Sequence, residues 1–473
     1  MIDFSLAAPE MFLTGAICVV LLVDVFLRQE QRQVTYLLAM LALIGTAVFS
    51  AVFEVRETML TFSGSFVADP AGGVLKLLTY LIVALVFLYS RNYLEEHGLF
   101  KGEFFVLGLF GLLGIMVMIS AHSMLTMYLG LELLSLSLYA LVAFNRDSAR
   151  AAESAMKYFV LGAIASGTLL YGISMLYGVT GTLDFGELAA RLAGPEGLTV
   201  PAALGLVFVV VGVAFKFGAV PFHMWLPDVY EGAPTPVTLF VGSAPKIAAF
   251  ALTWRVLVEA LGPLHGGWQG MLIVLSVLSL LIGNIVAIAQ VNLKRMLAYS
   301  TISHVGFILM GFIAGTDAGI EAAMFYTMTY ALMAAAGFGM IIVLSRRGFE
   351  AEKLEDFKGL NQRSPWFALM MLLIMFSMAG VPPLVGFYAK LVVLGALVDV
   401  GLVWLAAFGV LLAVVGAFYY LRIVWYMYFS DPVDHHPLTA ATDLKIVMSA
   451  NSLGLLALGI FPGFLLDLCA RVL

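Results

Sequence analysis

Charged residues are scarce in this chain of 473 residues, and cysteine is almost absent. Asp, Glu, Lys and Arg together make up 11% of the residues, whereas 62% are hydrophobic and the mean hydropathy is +1.03. Soluble domains are about 25% charged, so this composition excludes a water-facing surface over most of the chain. Apolar stretches of about 18 residues or more recur from end to end, each long enough to cross a bilayer. They leave no room for a soluble catalytic domain.

The same scarcity argues against redox and metal chemistry. Cys18 and Cys469 are far apart and form neither a CxxC motif nor an iron–sulfur spacing. No two histidines on one helix could ligate a haem, and the His435-His436 doublet lies in a polar loop where a solvated role is expected. No basic tract indicates nucleic acid. We therefore expect no cofactor, no metal and no nucleic acid in this chain.

The apolar segments predict an all-α polytopic membrane protein of about fourteen transmembrane helices. The predicted helices are residues 8–27, 35–53, 72–90, 104–121, 123–144, 157–178, 202–222, 236–260, 268–291, 296–314, 321–345, 366–397, 400–429 and 446–468. The first is not expected to be a cleaved signal peptide, because the leading segment from Met1 to Glu10 carries Asp3 and Glu10 and no Lys or Arg.

Lys and Arg predict the orientation of these helices. With the connections numbered alternately from an outside N-terminus, sixteen Lys and Arg fall on the inner side and four on the outer side. Basic residues favour the cytoplasmic side. We expect a multi-pass protein of the bacterial inner (plasma) membrane with both termini in the periplasm.

Two of the helices are interrupted at comparable places. One break lies within Phe215–His223 and the other within Met378–Leu384, with Pro221 and Pro382 161 residues apart. Proline breaks a helix, and an odd number of helices separates the two breaks, so the two units must have opposite topology. Paired broken helices in inverted repeats indicate a transport site. The expected organisation is an N-terminal three-helix segment (1–103), a first five-helix repeat (104–260), a second, inverted repeat (261–429) and a C-terminal helix (430–473).

Four charges lie deep within these apolar spans: Glu132, Lys216, Lys246 and Lys390. A central lysine costs about 2.5–3.5 kcal/mol on insertion scales, so each must pair or face internal water. Lysine can lose and regain a proton when its surroundings change, whereas arginine stays protonated. The four residues therefore predict a proton relay in which Glu132 sets the charge state of Lys216.

A purely structural reading competes with the relay. Glu132 and Lys216 could form an inert buried ion pair, although three lysines cannot all be neutralised by one glutamate. His223, beside the first break, and His304 are possible further members, because histidine titrates near neutral pH. For both histidines, a packing role fits the sequence equally well.

At these residues the sequence resembles the antiporter-like subunits of respiratory complex I, over almost the whole chain. The family also includes subunits of multi-subunit cation/proton antiporters and membrane-bound hydrogenases. The resemblance rests on Leu131-Glu132-Leu133, Phe215-Lys216 before Val220-Pro221-Phe222-His223, Pro245-Lys246, Gly380-Val381-Pro382-Pro383 and Gly386-Phe387-Tyr388-Ala389-Lys390.

The resemblance implies a non-redox, proton-translocating subunit of NADH:quinone oxidoreductase, built from two inverted half-channels. Within the family, a lysine at position 390 and an end at Leu473 favour one subunit type over two others. In the implied roles Glu132 modulates Lys216, Lys246 links the two units, and Lys390 passes protons outward. Flavin, iron–sulfur clusters and quinone would belong to other subunits. The implied partners are other membrane subunits of the complex, neighbouring antiporter-like subunits among them, and membrane lipids.

Two other functions remain open from the sequence. One is a subunit of a cation/proton antiporter or membrane-bound hydrogenase. The other is a membrane scaffold that binds partners and carries no protons.

Overall fold

The chain is a bundle of long apolar helices. The structure, a computed structural model, describes residues 3–194, 199–433 and 440–473, so His435-His436 lie outside the described residues. The α-helices are α1 Ala8–Phe26, α2 Arg32–Val52, α3 Pro70–Glu96, α4 Gly102–Ile119, α5 Met124–Val142, α6 Ala149–Thr180, α7 Phe185–Leu192, α8 Val200–Phe217, α9 Trp225–Gly232, α10 Thr235–Gly242, α11 Ala244–Thr253, α12 His265–Ala289, α13 Leu293–Ala314, α14 Asp317–Leu344, α15 Leu360–Arg363, α16 Pro365–Ala379, α17 Val385–Asp399, α18 Val403–Phe429, α19 Thr442–Ile460 and α20 Gly463–Val472.

The helices confirm the predicted membrane protein. Thirteen of the described helical segments are long and apolar enough to span a bilayer, and α16 with α17 forms a further span in two pieces. The outer surface of the bundle exposes large apolar side chains, such as Leu22 at 63% and Val414 at 68%. Such an apolar surface is compatible with contact with the lipid tails of a bilayer.

Several details differ from the sequence prediction. The short helices α9 and α15 were not predicted, and the predicted helix 236–260 is divided into α10, α11 and a π-helical turn. The predicted helix 446–468 ends at Ile460, and α20 begins anew at Gly463 because Pro462 interrupts the chain between them. The amphipathic helix α7 was not predicted, since it is too short to give a span. A small antiparallel hairpin, β1 Met59–Thr61 and β2 Phe66–Ala68, is also present.

The two ends of the bundle are built differently. We call the end that carries the connections 27–31, 97–101, 143–148, 290–292 and 345–364 the basic end, and the opposite end, with β1 and β2, the hairpin end. At the hairpin end, Arg255 is buried and bonds Asp69 and Glu259, each at 2.5 Å, and donates from Nε to the carbonyl of Ile119 at 3.1 Å. Asp69 also caps α3, so one side chain joins α3, α4 and the π-helical turn Trp254–Ala260.

The two predicted helix breaks have the same backbone geometry. Helix α8 ends at Gly218 with φ +78°, and α16 ends at Gly380 with φ +87°, a region that glycine enters without strain. In each case the next residue, Ala219 or Val381, donates its N–H back to a carbonyl in the last turn of the helix. This is the Schellman arrangement, which satisfies some terminal carbonyls and leaves others open.

Helices α4 and α5 approach each other through glycines. A Cβ added at Gly130 would lie 2.9 Å from the backbone oxygen of Gly114 and 2.9 Å from the backbone nitrogen of Met118. Backbone atoms cannot move aside as a flexible side chain can, so glycine sets the spacing of these two helices. That spacing positions α5, which carries Glu132.

The first prediction concerns this spacing. Gly130→Ala should lower the free energy of unfolding by about 1–3 kcal/mol, because the methyl group overpacks the interface between α4 and α5. Gly167→Ala on α6 is the matched control, since a Cβ there meets no atom within 4 Å. The midpoint of heat-induced aggregation in detergent should fall for the first variant only. Equal midpoints for the two variants would contradict the packing argument.

Alternating charges join the two halves of the chain at the basic end. We call them the ion chain, and they lie on α6, α9, α13 and the connection 345–358. Its pairs are Lys157–Asp228 at 2.9 Å, Arg295–Asp228 at 2.8 Å, Arg295–Glu231 at 2.8 Å, Arg150–Glu231 at 2.8 Å and Arg150–Glu352 at 2.9 Å. Isolated surface ion pairs contribute little to stability, because two long side chains must lose conformational entropy to form each pair. In a network one side chain serves two pairs, so less entropy is lost for each pair.

Two carboxylates of the ion chain, Asp228 and Glu352, are held in the charged form. Burial by itself would raise the pKa of Asp228, but hydrogen bonds from Lys157 and Arg295 outweigh it and hold that pKa below its usual value of 3.8. Burial of Glu352 is outweighed in the same way, chiefly by the hydrogen bond from Arg150, so the pKa of Glu352 is also lowered. Asp228 and Glu352 are therefore charged at neutral pH.

The second prediction follows from the sign of this shift. Because the pKa of Asp228 is lower in the folded chain, its contribution is present above the unfolded pKa and is lost as the pH falls through the folded value. Asp228→Asn should lower the free energy of unfolding by about 1 kcal/mol at neutral pH, and the difference from the parent should shrink towards zero in strong acid. Thermal unfolding across a pH series measures this.

Glu153→Gln is the control for Asp228→Asn. Glu153 also pairs with Lys157, but its side chain is 67% exposed, so its loss should change stability little at any pH. A stability difference for Asp228→Asn that stays constant from neutral to acid pH would show that the charge of Asp228 is not the cause.

Candidate functional site

Lys216 lies in the last turn of α8, directly before the first break. Its Nζ donates to the hydroxyl of Ser135 on α5 at 2.6 Å. Glu132 lies one turn earlier on α5 and accepts a hydrogen bond from Ser166 on α6. No ion pair within 4 Å joins Glu132 and Lys216 in the part of the chain that the structure describes; Lys216 bonds Ser135 instead, and Ser135 itself donates to the carbonyl of Leu131.

Lys246 is almost completely buried and contacts the end of the first broken helix. Its exposed fraction is 1%, and its Nζ donates to the carbonyl of Phe217, the last residue of α8, at 2.8 Å. Lys246 and Lys216 line one cavity of about 20 Å³, together with Ser135 and Trp225. A cavity of this size has room for about one water molecule. The first two lysines therefore face one small shared cavity whose other walls are largely apolar.

Lys390 makes the same kind of contact at the second break. Its Nζ donates to the carbonyl of Ala379, the last residue of α16, at 2.7 Å and to that of Met378 at 3.1 Å. The ring of Phe307 lies 5.4 Å from this nitrogen. Lys246 and Lys390 thus each cap the carbonyl end of a broken helix, although α9 and α10 separate Lys246 from its break whereas Lys390 lies in the second turn of α17.

These contacts resolve the excess of lysines over glutamates. The open carbonyls at the end of a helix carry a partial negative charge of about half an electron and favour a nearby cation. The sequence shows where the helices break but not which lysine folds back onto each break. Lys216 is the exception: its position two residues before Gly218 places it beside the first break, and this can be read directly from the sequence.

His304 lies on α13 within a shell of hydroxyl groups. Its exposed fraction is 3%; Nδ1 is 2.7 Å from the hydroxyl of Tyr326, and Nε2 is 3.1 Å from that of Tyr420. Tyr420 also bonds Ser300, one turn before His304. One turn after His304 is Phe307, the ring that packs on Lys390. Both imidazole nitrogens therefore have partners that can give and accept protons.

The tyrosines of this shell were not predicted from the sequence. They lie on α14 and α18 within apolar runs, where tyrosine is usually a packing residue. Tyr326 and Tyr330 are four residues apart on one face of α14, and Tyr330 donates to Thr301 at 2.7 Å. The four-residue spacing of these two tyrosines, together with Ser300-Thr301 before His304, could have indicated a layer of hydroxyl groups inside the bundle.

His223 lies in the loop of the first break, at the edge of the bundle. It is partly buried, its ring is 6.5 Å from that of Tyr299, and its Nδ1 lacks a hydrogen-bond partner among the described residues. Neighbouring Met224 is 72% exposed. The structure does not bring His223 into hydrogen-bonding contact with Lys216 within the described ranges.

Metal-binding clusters of three or more His, Cys, Asp or Glu side chains are not found in residues 3–194, 199–433 and 440–473. Cys18 is exposed on α1, and Cys469 is buried on α20. The chemistry that the four deep charges offer is proton transfer, because each is a titratable group at a polar site within an apolar bundle.

Three comparisons with known proteins bear on this arrangement. A family model described as "NADH:quinone oxidoreductase/Mrp antiporter, TM" matches residues 121–416. The NADH-quinone oxidoreductase subunit N of Thioalkalivibrio sulfidiphilus is 62% identical over 467 residues, covering 98% of this chain and 97% of that one.

Two solved structures are also similar. A chain of respiratory complex I from Thermus thermophilus with bound aureothin superposes with a TM-score of 0.83 and 30% identity, over 98% of this chain and all of that one. A chain of the Mrp complex from Dietzia sp. superposes with a TM-score of 0.84 at 21% identity, over 99% of this chain and 96% of that one. The last match shows a shared fold alone.

Proposed function

Because this chain belongs to the NADH-quinone oxidoreductase subunit N family, we propose that Glu132, Lys216, Lys246 and Lys390 carry protons through it. The resemblance to antiporter-like subunits of respiratory complex I is confirmed by the family match and by 62% identity over nearly the whole chain. The chain is a multi-span, proton-translocating membrane subunit of a bacterial NADH:quinone oxidoreductase, and the lysine at position 390 belongs to this subunit type.

The observation that carries the relay is the position of the lysines at the broken helix ends. A lysine costs about 2.5–3.5 kcal/mol within a bilayer, whereas the carbonyl end of a helix returns about 0.3–2 kcal/mol. A direct carboxylate would hold the ammonium form far more firmly. The helix carbonyls compensate the charge of Lys246 and Lys390 only in part. The charged and neutral forms of these lysines are therefore closer in free energy than they would be beside a carboxylate, as a relay requires.

Each member has a distinct role in this proposal. Glu132, one turn from Ser135 on α5, acts on Lys216 through its charge, and Lys216, which bonds Ser135, exchanges a proton with Lys246 through the cavity that they share. Lys246 links the two units, and Lys390 passes protons to the outer side. His304, with hydroxyl partners at both nitrogens, connects towards Lys390, whereas His223 has the weakest support from geometry.

The shared geometry of the two breaks supports two inverted repeats, 104–260 and 261–429, flanked by 1–103 and 430–473. Gly218 and Gly380 are 162 residues apart, and so are the carbonyls of Phe217 and Ala379 that receive a lysine. With this offset Pro221 corresponds to Pro383, one residue beyond the Pro382 used in the sequence comparison.

The orientation of the chain follows from the ends of the bundle. Counted with the adjoining helix ends, sixteen Lys and Arg lie at the basic end and four at the hairpin end, so the basic end faces the cytoplasm and both termini face the periplasm. In the inner membrane the chain acts as a translocating subunit without redox chemistry of its own. Flavin, iron–sulfur and quinone reactions take place in other subunits.

Neighbouring membrane subunits cover part of the apolar surface. Glu132 is partly exposed on α5 between Leu129 and Leu136, which are 58% and 56% exposed. A carboxylate in contact with lipid tails would be strongly disfavoured, so a protein partner on this face is expected. Neighbouring antiporter-like subunits fit it, and lipids contact the remaining surface.

The two alternative functions have less support. A cation/proton antiporter shares the fold at 21% identity, against 62% for subunit N of a quinone oxidoreductase. A non-conducting scaffold does not require titratable side chains at the helix breaks.

The third prediction separates a relay from structural capping. Lys390→Arg keeps a cation for the carbonyls of Met378 and Ala379, yet it cannot release a proton. In the assembled complex it should preserve assembly and slow proton pumping about tenfold or more. Lys246→Met should also stop pumping. Pumping is followed in membrane vesicles with a potential-sensitive dye during NADH oxidation.

Lys353→Met is the control, because Lys353 is exposed on a connection at the basic end. The complex with this variant should pump protons at the parental rate. If Lys390→Arg and Lys246→Met both assemble and pump at the parental rate, the relay is wrong. A loss of assembly without any selective loss of pumping would favour the scaffold.

A further inference from the structure

A cavity of about 210 Å³ opens at the basic end, where the two halves of the chain meet. Its wall includes the end of α3, the start of α6, the end of α9, Lys294 on α13 and the connection that carries Glu350. The volume admits several water molecules. Unlike the cavity between Lys216 and Lys246, this one is open to the aqueous side, so it is a place where protons can be taken up.

Glu350 is held in this cavity by four side chains. Oε2 accepts hydrogen bonds from Thr235 at 3.2 Å and Ser345 at 3.3 Å, and Oε1 accepts one from Tyr93. Nε2 of His97 is 3.5 Å from Oε1. Tyr93 and His97 lie at the end of α3, Thr235 begins α10, and Ser345 is on the same connection as Glu350. Among the described residues no Lys or Arg lies within 4 Å of this carboxylate, and Lys294 is the lysine that shares the cavity with it.

Lys294 lies in the wall of the same cavity and is 4% exposed. Its Nζ donates to the carbonyl of Ala233 at 2.8 Å, whereas the nearest ion-pair oxygen, on Glu352, is 3.9 Å away. That distance is too long for a hydrogen bond, and Glu352 is already bonded to Arg150. Lys294 thus resembles the relay lysines in being capped by a backbone carbonyl.

Tyr230 continues this line into the bundle. It lies three residues before Ala233, it is fully buried, and its hydroxyl has no hydrogen-bond partner in the described part of the chain. The hydroxyl is beside Gly242, 3.4 Å from a Cβ built there, and Gly242 is one turn before Lys246. A buried hydroxyl without a partner costs about 1–3 kcal/mol, which an ordered water at this point would offset.

We propose that Glu350, Lys294 and Tyr230 form the proton-uptake path of this subunit, from the cytoplasmic phase to Lys246. The Glu350 carboxylate takes a proton from water and becomes a carboxylic acid. Neutral Lys294 then takes that proton, which restores the carboxylate and makes an ammonium ion. The ammonium gives its proton through the Tyr230 hydroxyl to the neutral amine of Lys246 and is neutral again. This path rests on the proposed function of Lys246.

The fourth prediction tests the first step with inside-out membrane vesicles of the assembled complex, where the basic end faces the medium. Glu350→Ala should slow the NADH-driven formation of membrane potential about tenfold. Formate added to the medium should restore a large part of the rate, because a small carboxylate can occupy the cavity and accept a proton in place of Glu350. Glu355→Ala is the matched control on the same connection, since Glu355 is exposed and pairs with Lys358 alone.

Tyr230→Phe provides an independent arm, because it removes the hydroxyl and leaves the packing of the ring against Phe338 in place. It should slow potential formation without loss of assembly. The path is overturned if Glu350→Ala and Tyr230→Phe both run at the parental rate, or if formate restores nothing in Glu350→Ala. If those variants are normal and Lys246→Met still stops pumping, uptake lies elsewhere while the proposed function stands. Normal pumping by Lys246→Met would instead refute the proposed function itself.

Discussion

A lysine ammonium on the carbonyl end of a broken helix is the interaction on which this structure depends. Lys246 caps α8 through Phe217, and Lys390 caps α16 through Ala379. Without a cation, the open carbonyls would be exposed to an apolar interior; without the carbonyls, each lysine would be an uncompensated charge. The ammonium and the carbonyls therefore stabilise each other within the membrane. The carbonyls compensate the ammonium charge only in part, so the lysine can still exchange its proton.

The constraint extends to both ends of the bundle. The ion chain at the basic end fixes α6 and α9 of the first half against α13 of the second, through Arg150 and Arg295. At the hairpin end, Arg255 joins α3 and α4 to the π-helical turn. The cations at these joints are chiefly arginines, which hold a structure without exchanging protons, whereas the cations at the breaks are lysines. Lys157, the lysine of the ion chain, pairs directly with carboxylates, whereas Lys246 and Lys390 bond backbone carbonyls.

Local signals account for what the sequence predicted well. Charged residues inside apolar runs stand out, so Glu132 and the three deep lysines were found, and glycine with proline indicated both breaks. Contacts between distant segments account for what was missed. The hydrogen bond of Lys216 to Ser135 is one of them, because it joins residues 81 positions apart, whereas the sequence indicated only Glu132 as a partner of Lys216. The tyrosines around His304 were missed because nothing local distinguishes a hydrogen-bonded tyrosine from a packed one.

The sequence by itself determined the number of spans, the excess of basic residues on one side, the two breaks and the identity of the buried charges, because hydropathy and helix breaking are properties of neighbouring residues. Only the tertiary structure decided which carbonyl receives each lysine, which hydroxyls surround His304, and that Glu350 and Lys294 share a cavity. Glu350 and Lys294 are 56 residues apart, and their proximity depends on which helix faces meet. Packing of the whole bundle sets that choice.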